Sequence, residues 1–105
     1  MQDYTKHIKN DTRLANLIFE SAYSKQMKHP DKLINVGYGF RATRNNLEDA
    51  KLLISHKKLM LEFDLKDGLI SRKFVEEQKK VLNQLEKSMN KTIVELYGKG
   101  ENSWN

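Results

Sequence analysis

Apolar residues recur at helical spacing in three stretches of this chain, and the punctuation between them is sharp. In the first stretch, Leu14, Leu17, Ile18 and Ala22 repeat three or four apart, with Phe19 and Tyr23 widening the stripe. Asp11 is placed to cap it by accepting a bond from an orphan backbone N–H. His29-Pro30 is placed to stop it, because proline drives the preceding residue out of helical geometry. This predicts a helix over 11–28 with a face broad enough for two neighbours. Pro30 can then open a short turn carrying Leu33, Ile34 and Val36, so 30–38 reads as a short connecting helix or loop. Gly37-Tyr38-Gly39 follows. Two such glycines cost a helix about 1 kcal/mol each and predict a bend, or a fresh helix start at Phe40.

The second stretch places Phe40, Leu47, Ala50, Ile54 and Leu61 on one stripe, flanked by Leu53 and Met60. The third places Val75, Leu82, Leu85, Met89, Ile93 and Leu96 on another. Between them lies Leu65-Lys66-Asp67-Gly68-Leu69-Ile70-Ser71. Gly68 can take the left-handed conformation that ends a helix, and Ser71 can cap the next one. The prediction is an antiparallel hairpin of helices 40–66 and 71–97. Leu61 and Val75, Ile54 and Leu82, Leu47 and Met89, Phe40 and Leu96 are mirror positions about Gly68. Lys57 facing Gln78 makes a polar layer in that seam. A competing pattern is present: Leu59, Leu61, Phe63 and Leu65 alternate with Met60, Glu62, Asp64 and Lys66, and Asp67-Gly68 is a hairpin-turn dipeptide. A β-ribbon over 59–74 is the alternative, but Arg72 to Leu82 lacks a partner alternation and is rich in helix formers.

The fold expected is all-α: a helical bundle built on this hairpin with one additional N-terminal helix. It forms a single domain over 1–97, followed by a polar C-terminal tail over 98–105. At 105 residues the chain supports one core, and a domain this small buries a modest fraction of its surface. Two-fold pairing of hairpins into a four-helix bundle, and hence a homodimer, is one way to bury more. Trp104 in the tail either folds back on the bundle or hangs free.

Charge adds an asymmetry. The formal net charge is +5. Residues 1–58 carry eleven Lys/Arg against six Asp/Glu, whereas 59–105 carry eight of each. The excess sits in the first half, which can attract nucleic acid, anionic headgroups or an acidic protein patch. The chain has no cysteine, which excludes disulfides and thiolate metal sites. Its N-terminal residues lack the apolar core of a signal peptide. No apolar run approaches the ~20 residues a membrane span requires. A soluble, cytoplasmic location is the expectation.

Candidate chemistry is sparse. His7, His29 and His56 are too far apart to suggest a metal site, and no cofactor motif is present. Adjacent carboxylates such as Glu48-Asp49 and Glu76-Glu77 diverge by about 100° on a helix and cannot share a site. No serine sits in a nucleophile context, so an enzyme is not expected. The strongest ligand candidate is Gly37-Tyr38-Gly39-Phe40-Arg41-Ala42-Thr43-Arg44. Glycines before a helix start let backbone N–H groups approach an anion, Arg41 and Arg44 project one turn apart, and Tyr38 can stack on a ring. The spacing is not that of a P-loop, and a glycine-permitted bend with two solvated arginines is the reading these residues favour.

Leu65-Lys66-Asp67-Gly68-Leu69-Ile70-Ser71-Arg72-Lys73-Phe74, followed by Glu76, Glu77, Gln78, Lys79 and Leu82, resembles the short hairpin of the SHOCT type. That resemblance covers under a fifth of the chain and implies oligomerisation or partner contact, not catalysis. In overall profile the chain is also similar to the immunity proteins of small bacteriocins, which are basic, cysteine-free four-helix bundles of about this length. Small phage-encoded inhibitors share the profile. That likeness implies a specificity tail, here Tyr97 to Asn105.

The function expected is therefore a non-enzymatic protein-interaction module: an inhibitor, immunity or adaptor protein that binds a partner. The alternative is a nucleic-acid or nucleotide/anion binder using the basic 25–58 region. Candidate contact residues are Lys28, Lys32, Tyr38, Arg41, Arg44, Lys51, Lys57, Lys58 and Trp104.

Overall fold

The computed structural model describes the backbone of residues 4–36 and 42–98, with side chains from Arg13 onward. Three helices form in chain order: α1, Tyr4–Lys28; α2, Arg44–Lys66; α3, Arg72–Tyr97. All three pack against one another as a helical bundle. No strand occurs among the described residues, and α2 runs unbroken through 59–66. The β-ribbon alternative is thereby overturned. Of its alternating apolar set, only Leu61 is buried, while Leu59 and Phe63 face outward.

The α2–α3 turn forms as its residues dictate. Gly68 sits at φ 76°. Its N–H donates to the Leu65 carbonyl at 3.0 Å, and Leu69 N–H donates to the Asp64 carbonyl at 2.9 Å. These two bonds make a Schellman motif, which satisfies carbonyls that the helix end leaves unpaired. Ser71 then caps α3, its hydroxyl accepting from Phe74 N–H at 3.1 Å. A Cβ at position 68 would meet nothing within 4 Å. Gly68→Ala is therefore expected to cost only its left-handed backbone strain, about 1 kcal/mol, with no change of fold; urea denaturation measures it.

Val75, Gln78, Leu82, Leu85, Met89 and Thr92 alternate three and four apart, and all are buried. Leu47, Ala50, Ile54 and Leu61 follow the same rule on α2. This is the seam of two antiparallel helices packed side by side. The mirror pairs Leu61/Val75, Ile54/Leu82 and Leu47/Met89 all lie in one core. The fourth does not: Leu96 is at the surface, and Phe40 lies outside the described residues. Ion pairs link the hairpin's helices at Lys58–Glu86, 3.6 Å, and Lys79–Glu62. In both, the side chains lean toward their own N-termini and so, on antiparallel helices, toward each other.

Two helix starts differ from the sequence expectation. α1 begins at Tyr4, not near Asp11, because nothing between 4 and 11 breaks a helix; Asp11 lies inside it. α2 begins at Arg44, not Phe40. Thr43 is its N-cap, with its Oγ1 accepting from Asn46 N–H at 3.1 Å and Asn46 Oδ1 accepting from Thr43 N–H at 3.2 Å. That reciprocal box fixes the start more firmly than the glycines upstream. Gly37 to Arg41 lie outside the described residues.

α1 buries Ala15, Ile18, Ala22 and Gln26. Leu17, expected in the stripe, is half-exposed. The stripe turns toward Ala15 and Ala22, whose small side chains let α1 approach the hairpin closely, and Leu17 falls off its flank. The chain then makes a single turn, Lys32 N–H to His29 carbonyl at 3.1 Å, and continues irregularly along α3. Among the described residues 30–36 the connection is the loop and not the short helix, with two of its backbone donors taken by α3 side chains. Ile34 N–H bonds Ser88 Oγ at 3.0 Å, and Val36 N–H reaches Thr92 Oγ1 at 3.4 Å. Tyr97 hydroxyl donates to the Ala42 carbonyl and closes this strap where α2 begins.

Candidate interaction surface

The described basic residues singled out from the sequence are spread over α1, the turn that follows it and α2. Lys28 ends α1 and Lys32 lies in the turn beyond it, both exposed. Arg44 opens α2, thirteen residues and so about 20 Å along the helix from Lys57. Lys51 pairs with Glu48 at 3.6 Å, and Lys58 pairs with Glu86 on the α3 side. Lys57 leaves α2 on the α1 side, lining a groove with Phe19, Glu20, Tyr23 and Ser24. Tyr38, Arg41 and Trp104 lie outside the described residues.

The polar layer expected in the seam is present, with a different partner. Gln78 is buried, and its Oε1 accepts from the hydroxyl of Tyr23 on α1. Burial raises the Tyr23 pKa, so the hydroxyl stays protonated as that donor. Lys57, in phase with the seam, swings out to solvent. The groove above it holds about 250 Å³, and a second, of about 290 Å³, lies among Met27, Pro30, Glu77, Gln78, Lys80 and Val81. Neither is lined by a histidine that could serve a nucleophile as base. Among the described residues no group of three His, Cys, Asp or Glu is placed to hold a metal. No described helix is long and apolar enough to cross a membrane.

What the hairpin does present is apolar. Leu69, the second residue of the Schellman turn, is 72% exposed, between the half-exposed Phe63 and Phe74. In this motif the residue after the glycine usually packs against the last helical turn, which here offers Phe63. Charges of both signs border them: Lys66, Asp67, Arg72, Lys73 and Glu76, all exposed. An apolar centre with a mixed polar rim is the anatomy of a protein interface.

A second exposed set runs along α2. Leu52, 67% exposed, is followed by Leu59 and Phe63, seven and four residues on. At 100° per residue the three fall within about 40° of one another, on the face opposite Leu47, Ala50, Ile54 and Leu61. α2 is thus apolar on two opposite faces, and only one is covered. The sequence reading missed this stripe, although its spacing is visible there. Leu53 and Met60 drew attention instead as flanks of the core, and Leu59 and Phe63 as an alternation.

No protein-family model, curated protein or solved structure matches the chain.

Proposed function

We propose that this protein is a non-enzymatic interaction module that binds a protein partner through the turn end of its helical hairpin and acts by occupying the partner's surface. One observation carries this reading. Leu69 is held by a fixed turn, with Gly68 at φ 76° and both Schellman bonds made, yet it is the most exposed large apolar side chain described. Fixing a loop before binding lowers the entropy cost of ordering it in the complex. An ordered, exposed leucine, with the exposed Phe63 and Phe74 five or six residues away on either side in sequence, matches the anchor of an interface better than the scattered single apolar residues of an ordinary surface.

The test needs the partner and then the turn. A protein captured by crosslinking in cells is purified and titrated against the wild-type chain and Leu69→Glu. Because Leu69 is exposed, the substitution costs folding less than about 0.5 kcal/mol. It is expected to weaken binding at least about tenfold, as loss of an interface anchor does. Equal affinity for the two chains removes the turn end as the contact surface.

A further inference from the structure

The outer face of α2 carries more than an apolar stripe. Reading outward from its centre, the N-terminal end holds Glu48 and Asp49, and the C-terminal end holds Lys66. On a helical projection all three lie within about 60° of the Leu52–Leu59–Phe63 line. The midpoint between Asp49 and Lys66 is also the midpoint between Leu52 and Phe63, and lies between His56 and Leu59 as well. A two-fold axis through that point, normal to the helix, sets Leu52 against the second copy's Phe63, and His56 against its Leu59. It sets Glu48, which shares one side of that line with Lys66, against the second copy's Lys66, with Asp49 on the other side of the same end. A parallel arrangement would oppose like charges at both ends. The face is self-complementary in shape class and in charge, as an isologous interface must be.

We infer that the occupant of this face is a second copy of the same chain, bound as an antiparallel α2–α2 pair. The inference rests on the reading of the protein as an interaction module and names one of its partners. α1 and α3 leave the face open: Lys57 lies on the α1 side, Lys58 and Glu62 pair toward α3, and Leu52, Leu59 and Phe63 point away from both. The pair places the two hairpin turns at opposite ends, which makes the dimer bivalent for whatever Leu69 contacts. Phe63 belongs to both surfaces, so its contribution is shared. A single helix pair of this length is a small interface, and its dissociation constant belongs in the micromolar range.

Sedimentation equilibrium of the full chain from about 1 to 200 μM tests this. A two-chain mass is expected at the upper end. Leu59→Glu, which alters an exposed side chain and leaves the circular dichroism unchanged, is expected to raise the dissociation constant at least about tenfold by burying a charge at the axis. Lys66→Asp is expected to weaken the dimer, and adding Glu48→Lys to it is expected to restore the dimer, because only an antiparallel pair brings these two positions together. A single-chain mass throughout overturns the inference and leaves the stripe to a different protein. A dimer indifferent to Leu59→Glu, or charge reversals without rescue, overturns it equally. Leu69→Glu separates the two readings. It is expected to dimerise normally, so a monomeric wild type that still loses its partner with Leu69→Glu defeats the dimer alone.

Discussion

Leu82→Ala is expected to lower the unfolding free energy by about 2–5 kcal/mol, the range for removing a leucine from a core that cannot collapse around the gap. Leu82 is fully buried at the centre of the α3 seam, in one cluster with Ile54 of α2 and Ile18 of α1. Three helices meet there, so no single helix can shift to fill the void without opening another contact. Against a total stability of about 5–15 kcal/mol, this is a large fraction of what holds the domain together. Urea denaturation should show the midpoint moving down with the slope unchanged, and the melting temperature should fall by roughly 5 °C for each kcal/mol lost. A loss below about 1 kcal/mol would place Leu82 outside the seam and the register with it.

The second large effect is electrostatic and sits at the end of α1. Gln26 is fully buried, and its Nε2 donates to the carbonyls of His29 at 3.1 Å, Pro30 at 3.4 Å and Lys32 at 2.7 Å. One amide thus holds the whole turn out of α1 in place. Gln26→Leu removes those bonds and is expected to cost about 2 kcal/mol. The figure falls short of three separate bonds because two hydrogens serve three acceptors, and because Oε1 is buried without a partner among the described residues. Gln26→Glu is nearly isosteric but turns a carboxylate toward three carbonyl oxygens. It is expected to cost at least about 3 kcal/mol at pH 7. Burial and that repulsion raise the new carboxyl's pKa in the folded chain above its unfolded value of about 4.3. The folded state then binds more protons over the window between the two values, so the variant gains stability as pH falls through it. Leucine shows no such recovery. Melts of both variants from pH 7 to pH 4 measure the difference, and parallel curves would mean that Gln26 does not face the carbonyls.

The hairpin was legible because its signals are local and redundant. Gly68 and Ser71 each have one chemical job, and the apolar positions of α2 and α3 obey the same spacing on either side of them. The start of α1 was not legible, since Tyr4 to Asn10 contain no breaker and Asp11 makes a plausible cap only if a helix begins there. The connection through 30–36 was legible only as a short helix or a loop, for a different reason. Its backbone donors are satisfied by Ser88 and Thr92, more than fifty residues away, and no local pattern encodes that. The same holds for Gln78. The sequence points to a polar layer there, but Tyr23 reaches it from α1, and only tertiary packing could nominate that residue. The open face of α2 was not legible because exposure is not a property of spacing: Leu52, Leu59 and Phe63 read as apolar, and only the placement of α1 and α3 reveals which face they leave open.

In the function proposed, apolar surface on the hairpin makes the contact, and positive charge in the first half of the chain does not. Light-scattering mass of the full chain, alone and with short single- and double-stranded oligonucleotides at about 50 and 200 mM salt, puts the two against each other directly. Phosphate binding by a basic face weakens steeply over that interval through counterion release, whereas an apolar contact responds little. The expected mass rises with protein concentration, changes little with salt and does not change with oligonucleotide. A mass that rises on adding oligonucleotide at low salt and falls back at high salt would contradict it.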